Sequence, residues 1–106
     1  MDKDKIEVPA FAEQQALFLQ MVDEVLNTTC RQRGYDNILN CISYRSDTPQ
    51  TDLYAEKFRK EGNAAWEWRN KMYSYCYTQL ALVQEGQREI PTLIDFKAEV
   101  PDIKWP

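Results

Sequence analysis

The sequence contains no histidine. That one absence removes a Ser-His-Asp triad, a Cys-His pair and any His-ligated zinc site from within the chain. Cysteine is scarce: Cys30, Cys41 and Cys76 make an odd number and form no CxxC pair. A disulfide framework or a zinc knuckle needs closer or more numerous thiols, so the three read as small buried apolar side chains in a reducing compartment. Long apolar runs are missing as well, which excludes a bilayer-spanning helix, and the first residues lack the apolar core of a signal peptide. Positive charge is in short supply, 13 Lys and Arg against 17 Asp and Glu, for a net charge of -4. Lys57, Arg59 and Lys60 are flanked by Glu56 and Glu61, the pattern of a solvated helix face, so no concentrated basic surface for nucleic acid is expected. No repeat, low-complexity segment or strand-like alternation is visible.

What is present is helical periodicity. The 106 residues, 43% of them hydrophobic, fit one domain with a modest core. Residues 1 to 10 are charged and close on Pro9, and read as a flexible leader. From Phe11 onward, Leu17, Phe18, Met21, Val22, Val25 and Leu26 recur at spacings of three and four. This first helix should end near Arg33, because Gly34 suits a left-handed C-terminal cap. Asp36 is the expected N-cap of a short second helix carrying Ile38, Leu39, Cys41 and Ile42, which fades at Ser46-Asp47-Thr48-Pro49. Thr51 or Asp52 should cap a long third helix that runs to about Glu85, with Gly86 as its stop. Its inner stripe reads Leu53, Phe58, Ala65, Met72, Cys76, Leu80 and Val83. Gly62 either allows close helix contact or marks a break. Thr92 with Asp95 resembles a capping box for a short fourth helix that stops before Pro101. The expected architecture is all-α: a small bundle of two long and two short helices over residues 11–100, with flexible termini and a non-helical tail over 101–106.

Arg69 lies on or beside the apolar stripe of the third helix and needs a partner there, for which Asp36 is the preferred carboxylate; the pair would pin two helices together. Glu61 and Glu67 could be imagined as a glycosidase acid and nucleophile, but six positions turn them to different faces of one helix. With no His and no nucleophile–base spacing, an enzyme is not expected. Nothing in the pattern calls for a cofactor or a metal. The aromatic residues are the stronger lead. Trp66, Tyr73 and Tyr77 share a strip, Trp68 and Tyr75 another, so aromatics surround much of the middle of the third helix. Such a circumference is covered either by its own domain or by a partner. Ile103 and Trp105, on the tail, either fold back onto the bundle or dock elsewhere.

The series Arg33-Gly34-Tyr35-Asp36-Asn37-Ile38-Leu39, Cys41-Ile42-Ser43-Tyr44, Glu61-Gly62, Trp68-Arg69, Tyr75-Cys76-Tyr77 and Val83-Gln84-Glu85-Gly86, with Arg88 and Pro91-Thr92, resembles a small helical module of tailed-bacteriophage and prophage tail-region proteins. The likeness covers about residues 31 to 101, in order and at similar gaps. The chain departs from it by a charged stretch between Tyr44 and Glu61, and by Met72-Tyr73 where that family favours Val-Trp. The resemblance implies a tail-fibre assembly or virion structural protein with no catalytic residues. The implied partner is a phage tail or fibre protein, or another copy of the chain. The implied location is the host cytoplasm during assembly, with the virion tail as the final destination of a retained component. Partner contact would fall to Trp66, Tyr73, Tyr77, Ile103 and Trp105. A phage accessory protein that binds and inhibits a host protein is the alternative, and a small hydrolase a more distant one.

Overall fold

A computed structural model of the chain describes residues 11–106, and the leader expected over 1–10 lies outside them. Four helices follow in order: α1 Phe11–Gln32, α2 Ile38–Ile42, α3 Leu53–Gln84 and α4 Leu93–Glu99. The described residues contain no strand, so the fold is all-α, with two long and two short helices.

Local chemistry sets the ends. Gly34 and Gly86 both take positive φ, +99° and +77°. Each closes its helix with a paired set of backbone bonds: Tyr35 N–H to Cys30 O and Gly34 N–H to Arg31 O, then Gln87 N–H to Leu82 O and Gly86 N–H to Val83 O. This is the Schellman arrangement, which satisfies carbonyls that the helix leaves unpaired. Asp52 caps α3 by accepting from Ala55 N–H at 2.8 Å, and Thr92 caps α4 by accepting from Asp95 N–H at 3.1 Å. The cap of α2 differs from expectation. Asn37, not Asp36, accepts from Asn40 N–H at 2.7 Å, while Asn40 Oδ1 accepts from Asp36 N–H at 3.0 Å. The two amides reach toward each other across one turn, which moves the cap one residue along the chain.

α1 and α3 pack antiparallel. Arg33, just past α1, meets Glu61, and Asp23, ten residues earlier, lies close enough to Tyr73 to influence it. Their shared core holds Val22, Leu26 and Cys30 from α1 and Ala65, Met72 and Cys76 from α3, all without exposed surface. α2 wedges against one end of this hairpin, where Gly62 decides the distance. A Cβ at Gly62 would stand 2.8 Å from both Arg45 N and Cys41 O, and both are backbone atoms. α3 runs unbroken through that position, so Gly62 serves close approach and marks no break.

α4 closes the other end. Phe96 meets Phe18 edge-on at 4.9 Å and stacks on Tyr75 at 5.8 Å. Glu99, at the last turn of α4, accepts from Tyr75 OH at 2.9 Å and pairs with Arg88 at 2.6 Å. The tail then turns back along α3. Trp68 Nε1–H donates to Pro101 O at 2.7 Å, and Pro106 reaches the cleft beside Lys57 and Glu61. Five steps of extended chain span about 17 Å, which matches the seven to eleven helix positions, about 10–17 Å, between those contacts. Residues 101, 103 and 105 are half-buried, whereas 102, 104 and 106 are exposed. The tail is therefore a strap with one face on the bundle.

Leu53 does not belong to the inner stripe. It is 76% exposed at the first turn of α3. Phe58 is half-buried instead, with its ring 5.3 Å from Tyr44 and 6.3 Å from Tyr35.

Candidate functional site

Two places draw the chemically interesting side chains together: a buried carboxylate where α1, α2 and α3 converge, and an aromatic stripe on the outer side of α3.

The carboxylate is Glu61, the only charged side chain in the core of the described residues, with 3% of its side chain exposed. Arg33 reaches Oε2 through both Nε and Nη2 at 2.8 Å. Tyr35 OH donates to Oε1 at 2.8 Å, and Lys57 Nζ lies 3.8 Å from the same oxygen. The Schellman turn at Gly34 makes this possible, since it reverses the chain so that Arg33 and Tyr35 both face α3. Trp105 lies with its ring 4.9 Å from the Arg33 guanidinium, so the strap covers the pair from outside. Burial, the largest influence, pushes the Glu61 carboxyl up. Its hydrogen bonds with Tyr35 and Arg33 and the positive charges of Arg33 and Lys57 outweigh that and hold it below its ordinary value. These donors favour the ionised form of the carboxyl.

Glu67 has no part in this arrangement. It lines a groove with Trp68, Lys71 and Asp102, while Glu61 opens on a cleft with Arg33, Lys57 and Lys60. The two carboxylates line different clefts. Among the described residues no group of three or more Cys, Asp or Glu is placed to hold a metal ion.

The expected Arg69–Asp36 ion pair is not formed. The Arg69 guanidinium lies over the ring of Tyr73, one turn further along α3, at 5.3 Å. Asp36 turns its backbone toward Arg31 and Asn40. The tie between helices is made instead by Arg33–Glu61, 28 positions apart, and by Arg88–Glu99. Periodicity places Arg69 near the stripe correctly, but its guanidinium stacks on a ring one turn along its own helix and does not cross to another.

The aromatic strips separate. Trp68 is buried and Tyr75 half-buried, because α4 and the strap lie over that flank. Tyr73 is half-buried against the core. Trp66 and Tyr77 stay open at 39% and 50% exposure, with Arg45 stacked on the Trp66 ring at 4.9 Å. Ile103 and Trp105 fold back onto their own bundle, where both pack against the core.

Sequence reasoning passed over one further surface. Ile94, Leu93 and Leu17 are exposed side by side, lining a single groove between α1 and α4. A signal was available: at 100° per residue Leu93, Ile94 and Phe96 spread over an arc of about 160°, wide for a single buried stripe on a short helix.

No family model, curated protein or solved structure matches the chain. No helix among the described residues is long and apolar enough to cross a membrane.

Proposed function

We propose that this chain is a non-enzymatic binding protein of the tailed-phage tail region. It acts by protein–protein contact in assembly of the fibre or baseplate, or as a minor component of the virion. The observation that carries the contact reading is the α3 stripe: Trp66, Tyr73 and Tyr77 at spacings of seven and four, two of them open to solvent and flanked by Arg45 and Arg69. Trp, Tyr and Arg are the side chains that dominate binding energy at interfaces. The phage setting is supported by the residue series that resembles tail-region modules. Several members of that series touch one another here: Arg33 and Tyr35 on Glu61, and Gly62 on the backbone of Cys41. Residues that hold a fold together are those a shared fold would keep.

The test uses a phage that encodes the protein. Mass spectrometry of purified particles distinguishes a retained component from an assembly factor. A Trp66→Ser/Tyr77→Ser variant should melt within about 1 kcal/mol of the parent, since both side chains are partly solvated. It should nevertheless fail to restore infective particles to a phage lacking the gene. Full restoration by that variant would remove the stripe from the interface.

A further inference from the structure

The groove between α1 and α4 has a built-in order. Leu17 on α1 lies level with Leu93 and Ile94 on α4, and Ile94 is the most exposed large apolar residue among those described, at 82%. Glu24 lies seven positions beyond Leu17, about 10 Å along α1. Lys97 lies three positions beyond Ile94, about 4.5 Å along α4, and Glu24 and Lys97 together bound both this groove and the next one, which continues over Thr28 to Gln32. The two helices therefore run side by side in the same sense, with an apolar level followed by a charged one. Glu24 and Lys97 make no ion pair with each other or with any other described residue. The first groove measures about 340 Å³ and the second about 290 Å³, and both are open to solvent.

We propose that a second copy of this chain covers this face, related by a two-fold axis that runs parallel to α1. In that arrangement each α1 packs on α4 of the other copy. The apolar level meets itself, with Leu17 against Ile94 of the second copy. At the charged level Glu24 meets Lys97 of the second copy, and the contact occurs twice because a two-fold interface repeats every pair. An antiparallel two-fold centred between the two levels sets Glu24 and Lys97 against leucine and isoleucine, and one centred on the apolar level leaves both charges outside the contact, so the parallel arrangement alone pairs both levels. Charge complementarity thus selects both the occupant and its orientation. The face is narrow, since α4 has seven residues, so the dimer belongs to the weak class that forms at micromolar concentration. It is separate from the α3 stripe, and neither contact depends on the other.

Sedimentation equilibrium of the full chain from about 1 to about 200 μM should show a monomer–dimer equilibrium. Ile94→Asp should weaken it at least about tenfold while leaving the melting temperature unchanged, because Ile94 is largely solvated in the monomer. Glu24→Lys alone and Lys97→Glu alone should each weaken it. The double variant should restore it, and so should an equimolar mixture of the two single variants, because their charges then complement across the axis. Tyr77→Ser, on the other face, should leave it unchanged. A monomer at every concentration, a dimer indifferent to Ile94→Asp, or charge swaps that fail to rescue each other would overturn the proposal.

Discussion

Glu61 shows how a single side chain sets conditions for its neighbours. Its carboxylate is buried but surrounded by donors from three segments, Arg33, Tyr35 and Lys57. Glu61→Ala leaves Tyr35 OH without its acceptor and Arg33 without its counter-charge. Breaking a fully buried pair costs about 3–5 kcal/mol; with Arg33 37% exposed, about 2–3 kcal/mol is expected in urea denaturation. The pH dependence follows from three carboxyls held low. Arg59 is the main cause at Glu56, which falls to about 2, and Arg88 at Glu99, while Glu61 is lowered by its bonds to Tyr35 and Arg33 in spite of burial. Each binds its proton more weakly in the folded state than in the unfolded one. Their contribution is therefore complete above the ordinary carboxyl value and is lost as pH falls through the folded values. The melting temperature should be flat near neutrality and drop from about pH 5 toward pH 2. Glu61→Gln should make that acid limb shallower, and an unchanged limb would show that Glu61 does not titrate in the transition.

At the scale of helices, α2 is the informative case. Five residues make no stable helix alone, and α2 persists because Cys41 and Ile38 enter the core and because Gly62 lets α3 come against its backbone. Gly62→Ala is the sharp test. Helix propensity favours alanine by about 1 kcal/mol, whereas the added Cβ meets two backbone atoms that cannot swing aside. The steric term wins, so the variant should lose about 1–3 kcal/mol, with amide exchange accelerating first in α2. A more stable Gly62→Ala protein would mean that α2 sits further from α3 than described here. The boundaries of α1, α3 and α4 were legible in the sequence to within a residue or two, since Gly34, Asp52, Gly86 and Thr92 act on their own backbone neighbours. The α2 cap was misread because Asp36 and Asn37 are both good cap residues, and only the reciprocal bond from Asn40 chooses between them.

For the molecule as a whole, the C-terminal strap links the elements. It crosses from Trp68, which donates to Pro101 O, to the Arg33–Glu61 pair, where the Trp105 ring lies against the Arg33 guanidinium. Trp105→Ala should therefore cost about 1–3 kcal/mol, although it leaves every helix intact. Hydrogen exchange should show loss of protection around Trp68 and Tyr35 as well as in the strap; a variant as stable as the parent would mean the strap carries no load. The all-α class, the four helices and most of the core on α1 and α3 follow from local pattern, because periodicity, caps and breakers act over one or two turns. The sequence also names the aromatic side chains available for contact. Long-range packing settles which of them stay open, that Arg33 and not Arg69 holds the interhelical carboxylate, and that Ile103 and Trp105 pack on their own chain. Those outcomes depend on pairs tens of residues apart, whose meeting is fixed by how the helices pack around Gly62 and Phe96 and not by any local pattern.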